Sequence, residues 1–462
     1  MPVQPSPTRT TTTRLPSDGD WLLSGAVDLD DGSGVPVAGP VHLSVRHGVV
    51  SEVRPAGGSF ADAGGGLVLL PLLVNAHDHG RGAGNVLAGI ADAPLEPWIA
   101  SLRTGPGILP PTQTSLVGDA CRMMLRSGVG ATVICPNPQH PDTAAEVAEA
   151  AAAATTCGIR AAIVYPFADC MGDLYGRTRQ APGWSPSEVR RHLRAVEDLA
   201  GSVDDPGIEI QLGPVGPQWV SESTLEAVAA HAADTGRRVH MHLLESRAQR
   251  AWADRTYPEG LLDFLDRIGL LGPHVCFAHG TNLRPEELAG LAAAGAVVSF
   301  NASSNLRLAS GIPPLAAGLD APLAVGAGLD GLSLGDDADY FTELRLVRGL
   351  TQAQSGRTAA AGDLLDRLAS GGGLALGAAA PTRPGVGRPA DFVLLDLDGY
   401  GHLVDQAGWS PADVALAAGR PDRVREVWVS GRQVHADVSP GSDARLVSTV
   451  PSAPTVDHPS QP

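Results

Sequence analysis

Lysine is absent from this 462-residue chain, so all 33 basic residues are arginine. That absence excludes Schiff-base chemistry, a P-loop lysine and a carboxylated lysine bridging two metals. Cysteine is scarce: Cys121, Cys135, Cys157, Cys170 and Cys276 form no C-x-x-C pair and are odd in number. Such usage argues against a disulfide framework and suits a reducing cytoplasm, the expected location. No apolar run reaches the ~18 residues of a membrane span, and the N-terminus lacks the charged-then-apolar order of a signal peptide. Positive charge is short as well. A net charge of -17 repels phosphate backbones and anionic lipid, so the expected partner is a small molecule, with neither nucleic acid nor membrane.

What is present is an alternation. Short β-like runs lie between Trp21 and Gly66 and again at Ala390-Asp391-Phe392-Val393-Leu394-Leu395 and Val424-Arg425-Glu426-Val427-Trp428-Val429. Two such flanks can pair into one unit built from both ends. Between them, strand-like runs at 72–77, 130–135, 160–165, 208–212, 238–243, 275–278, 296–300 and 323–327 alternate with helical patterns such as 112–126, 142–156 and 187–199. Eight strands with intervening helices predict an α/β fold, a (β/α)8 TIM-like barrel, with an open doubly wound sheet as the alternative.

The chemistry centres on Leu72-Leu73-Val74-Asn75-Ala76-His77-Asp78-His79-Gly80. Residues two apart on a strand point the same way, so His77 and His79 reach one spot at a strand end, where barrels keep their active sites. Later strand ends add histidines and acids: His242 followed by Glu245, then His279, then Asp330. Histidine numbers only 14 in the chain, which makes its placement at three selected strand ends, the first, fifth and sixth, an unlikely coincidence. His240, one layer deeper, reads as a buried hydrogen-bonded residue. His140 in the loop after strand two is a further candidate for the pocket. Gly326-Ala327-Gly328-Leu329-Asp330-Gly331 and Gly331-Leu332-Ser333-Leu334-Gly335 mimic dinucleotide and nucleophile-elbow patterns but lack the helix that each requires.

Together with Ser303-Ser304-Asn305-Leu306-Arg307 and Glu343-Leu344-Arg345-Leu346, these stretches resemble the amidohydrolase superfamily in its cytosine-deaminase and chlorohydrolase-like branch, from about Trp21 to Val438. The resemblance implies a β-sandwich beside the barrel. The chain then divides into a disordered tail (1–18), an N-terminal sandwich segment (19–68), the barrel (69–380), a C-terminal sandwich segment (381–438) and a second disordered tail (439–462). By the same resemblance, His77, His79, His242 and Asp330 hold one divalent metal, Zn2+ or alternatively Fe2+. His279 orients the water, Asp330 takes its proton and Glu245 carries protons to the substrate. Three imidazoles and a carboxylate suit such an ion, which lowers the pKa of water to ~7 and so supplies hydroxide at neutral pH.

The implied reaction is hydrolytic deamination of an amino-substituted N-heterocycle of purine, pyrimidine, pterin or triazine type, with release of ammonia. The alternative keeps the metal and cleaves a C-Cl, alkylamine or cyclic amide C-N bond. Trp98 and Trp219 offer faces on which a flat ring can stack, Gln218 an amide that can read a ring edge, and Arg81 a cation for a carboxylate or carbonyl; Arg81 and Arg177 can equally be solvated. Val215 stands where adenosine-type relatives carry a substrate-binding histidine, Leu72 where a glycine is usual, and Gly280 where a cysteine is common. These departures leave the substrate open. So is a homodimer, the association common among such barrels.

Overall fold

The computed structural model describes residues 17–33, 36–37, 39–104, 112–137, 142–170 and 182–436. The two expected tails lie almost wholly outside this set, as do His140 and Arg177. The eight apolar runs are parallel strands: β1 (Leu73–Asp78), β2 (Val129–Ile134), β3 (Arg160–Phe167), β4 (Ile208–Pro214), β5 (Val239–Leu243), β6 (Val275–His279), β7 (Val297–Phe300) and β8 (Ala324–Ala327). β1 pairs with both β2 and β8, which closes the ring. Every residue of β1, β2, β5, β6 and β7 is buried, as expected for strands covered by side chains inside and helices outside.

Four helices bear on the site: α1 (Leu95–Thr104), α2 (Ala302–Arg307), α3 (Tyr340–Ser355) and α4 (Ala361–Leu376). The last lies unusually close to the barrel wall. A Cβ at Gly371 would stand 2.1 Å from the Val325 carbonyl oxygen, and one at Gly372 2.7 Å from the Val74 side chain, so glycine there sets the approach.

The chain ends also meet. In a five-stranded sheet, Phe392–Asp396 runs antiparallel to Leu67–Pro71, the strand that leads directly into β1. A three-stranded sheet of Gly19–Leu23, Val41–Arg46 and Val49–Pro55 shares its core, with Leu43, Leu69, Phe392 and Trp428 buried together. Trp21 stands edge-on to Phe392 and Trp428, at 5.7 and 5.3 Å between ring centres. Barrel and sheets are thus joined through continuous chain at β1, the strand that carries His77.

Candidate active site

The C-terminal strand ends of β1, β5 and β8 bring His77, His79, His242 and Asp330 together, with one ligand atom from each lying within 4.8 Å of the others. Each imidazole is oriented from behind. His79 donates its Nδ1–H to the Cys135 carbonyl at 2.8 Å, and His242 donates its own to the Val215 carbonyl at 2.7 Å. His77 Nδ1 lies 2.9 Å from His240 Nε2. With a proton on each Nδ1, all three Nε2 atoms turn lone pairs inward.

Those lone pairs face one another. His79 Nε2 is 3.2 Å from His242 Nε2, and Asp330 Oδ1 is 3.1 Å from His77 Nε2 and 3.2 Å from His79 Nε2. His77 Nε2 and Asp330 Oδ1 are buried and have no hydrogen-bond partner. Burial lowers the pKa of His77 to about 4 and those of His79 and His242 below the ordinary histidine range, which keeps the rings neutral. Four buried electron-pair donors converging without a proton between them fit a divalent cation of zinc type.

Two further groups border this cluster. His279 donates from Nδ1 to Asn305 Oδ1 at 2.9 Å, leaving Nε2 without a partner, 3.7 Å from Glu245 Oε2 and 4.0 Å from Asp330 Oδ2. Glu245 is buried, and burial raises its pKa to about 7 against the opposing field of His279. Its Oε1 has no partner. The backbone is bent to make these placements: Leu244, His279 and Asp330 adopt φ of 47°, 73° and 58°, a left-handed conformation that costs about 1–3 kcal/mol per residue and clusters at functional sites.

The four expected substrate contacts are all buried at least in part, and each keeps a donor without a partner: Arg81 Nη1, Trp98 Nε1, Gln218 Nε2 and Trp219 Nε1. Trp219 stands edge-on to His242, 6.4 Å between ring centres, and the Arg81 guanidinium lies 5.3 Å from the Trp98 ring centre. Trp98 itself packs with Leu95, Leu308 and Leu332. His240 is buried and hydrogen-bonded to His77, as its depth in β5 implied.

Sequence reasoning assigned no role to the supports on α2 and α3. Ser304 donates to Asp330 Oδ2, and Asn305 holds His279. Their segment is fixed in turn by Glu343 of α3, whose Oε1 accepts from the Ala302 N–H at 2.7 Å and whose Oε2 accepts from the Ser303 N–H at 3.2 Å. The signal was the Ser303-Ser304-Asn305 run, polar yet wholly buried. Ser333, the would-be nucleophile, instead accepts from the backbone N–H of Asp337 and Ala338 at 3.1 and 3.0 Å and serves a turn.

Residues 68–434 match the description of the amidohydrolase family. A 5'-deoxyadenosine deaminase of Methanothermobacter thermautotrophicus is 28% identical over 417 residues, covering 87% of this chain and 93% of that one. A 5-methylthioadenosine/S-adenosylhomocysteine deaminase of Syntrophobacter fumaroxidans is 30% identical over 418 residues, 86% of this chain and 89% of that one. Among solved structures, an adenosine deaminase of Xanthomonas campestris with bound zinc aligns at TM-score 0.72 and 25% identity, over 90% of this chain and 92% of the other. An atrazine chlorohydrolase of Arthrobacter aurescens, at TM-score 0.71 and 24% identity over 89% and 94%, shares the fold.

Proposed function

This chain belongs to the amidohydrolase family and is a metal-dependent hydrolase of carbon–nitrogen bonds, and we propose that it removes an exocyclic amine from an aromatic N-heterocycle, releasing ammonia. His77, His79, His242 and Asp330 would hold one divalent ion, with zinc the best match to three imidazoles and a carboxylate. Bound there, such an ion supplies the Lewis acidity that makes water a nucleophile near neutral pH.

The rest falls to the chain's own groups. Glu245 in its protonated form donates to the ring nitrogen beside the amine-bearing carbon, which makes that carbon electrophilic, and Glu245 recovers a proton from the new hydroxyl as the carbonyl forms and the amine leaves. His279, its Nδ1–H committed to Asn305, presents Nε2 as an acceptor that steadies the attacking water. Asp330 takes the proton that water loses and passes it to the departing amine; its Oδ2 stays anchored by Ser304 throughout. Trp98 and Trp219 supply flat faces for the ring.

The observation that carries this reading is Glu245, a buried carboxyl with a raised pKa of about 7 and an unpartnered oxygen, placed 3.7 Å from His279 beside the four-ligand cluster. A general acid for ring protonation requires such a group. The test is ammonia release by the zinc-loaded protein from a panel of aminated purines, pyrimidines, pterins and triazines, with Glu245→Gln alongside. Release that disappears in the variant is expected. Chloride, alkylamine or ring-opened product in place of ammonia would move the assignment to the other leaving groups.

A further inference from the structure

Arg81 follows the His77-Asp78-His79 turn directly, and its backbone lies against the Asp330 loop: a Cβ on Gly331 would stand 3.7 Å from Arg81 Cβ. The guanidinium is buried over the Trp98 ring. With the Asn137 amide turned to present its oxygen, Arg81 Nε and Nη2 donate to it at 3.2 and 2.9 Å. Nη1 is left buried without a partner, and no described carboxylate forms an ion pair with this cation, although Asp330 and Glu245 lie close enough to favour its charge. Among the described residues the guanidinium is hydrogen-bonded only to a neutral amide; the fields of Asp330, Asp78 and Glu245 favour its charge, but none of them fills Nη1, whose missing partner a ligand anion can supply.

The neighbouring ring points the same way. Trp98 Nε1, under the guanidinium, is also a buried donor without a partner, and of the two only Arg81 carries charge. Resting on the aminohydrolase reading above, we propose that the substrate is an aminated heterocycle bearing a carboxylate, bound by Arg81 with its ring against Trp98, and not a neutral nucleoside. A carboxylate supplies two strong acceptors, which Arg81 Nη1 and Trp98 Nε1 lack. The proposal also separates this chain from the relative named for 5'-deoxyadenosine, whose neutral sugar would offer Arg81 no charged counterpart.

The test uses the full-length, zinc-loaded Glu245→Gln protein, so that ligands bind without turnover, and follows tryptophan fluorescence. The probes are cytosine with cytosine-5-carboxylate, pterin with pterin-6-carboxylate, and adenosine. One acid is expected to bind about 10- to 100-fold tighter than its uncharged parent and than adenosine, the span of a charge-assisted hydrogen bond. Arg81→Met should abolish that preference and Arg81→Lys should restore part of it, with zinc content confirming that each variant has folded. The proposal is overturned if no acid is preferred, or if Arg81→Met keeps the preference. Ammonia from the neutral rings alone, measured with the wild-type enzyme, would likewise overturn it while leaving the aminohydrolase reading intact. Acid binding that depends on Arg81, with ammonia released from no ring, would do the reverse.

Discussion

Glu343 touches none of the candidate ligands, yet it is the support behind two candidate catalytic groups. It satisfies the Ala302 and Ser303 N–H groups, and the next two residues hold Asp330 and His279. Glu343→Ala strands both buried donors at about 1–3 kcal/mol each, so a loss of about 4 kcal/mol in stability is expected, accompanied by lower kcat. Glu343→Gln separates geometry from charge, because it retains an acceptor of nearly the same shape. Burial raises the Glu343 pKa from 4.5 to about 7. Below pH 4.5 the group is protonated in both folded and unfolded chains. Between 4.5 and about 7 the unfolded chain releases the proton while the folded chain retains it, so wild-type stability falls as pH rises, by about 3 kcal/mol in all. The Gln variant lacks that slope. Denaturant unfolding at pH 4.5, 6 and 8 should therefore show the variant gaining on wild type by about 3 kcal/mol across the range. A difference that stays constant with pH would refute the reasoning, and full activity in Glu343→Ala would refute the positioning role.

Two other outcomes are expected. His240→Phe removes the partner of His77 Nδ1 and should weaken zinc binding about 10- to 100-fold in competition with a chromophoric chelator; an unchanged affinity would mean that His77 is held by packing alone. Arg307 joins Asp92, Asp336 and the Ser333 carbonyl across the mouth, so Arg307→Ala should speed amide exchange in residues 88–98 and raise KM more than it lowers kcat. Unchanged exchange there would show that the Trp98 cluster holds without that clamp.

Much of this architecture was legible because parallel strands covered on both faces read as unbroken apolar runs. All eight strands fall within two residues of the expected positions: β1, β5, β7 and β8 begin one residue later than expected, while β1, β3, β4 and β6 run one or two residues further. The convergence of His77, His79 and His242 with Asp330 was legible because histidine is rare and stands at strand ends. The supports were not. The carbonyls of Cys135 and Val215 that orient His79 and His242 belong to the backbone and carry no side-chain signature. Glu343 meets α2 from 40 residues away, a distance that no periodicity bridges. Helix α4 was hidden by Gly371, Gly372 and Gly373, which weaken helix propensity by about 1 kcal/mol each but allow the close approach to β8. The Arg81 cation was visible in sequence; its burial over Trp98 was not.

The most direct measurement is the zinc content of the reconstituted protein, wild type against Asp330→Ala, by elemental analysis after exhaustive buffer exchange. One ion per wild-type chain, lost from the variant along with turnover, is the expected result. Two ions per chain would contradict it and draw in the neighbouring His77, Cys135 and His240 group, and an Asp330→Ala protein that keeps both its zinc and its turnover would contradict the four-residue site altogether.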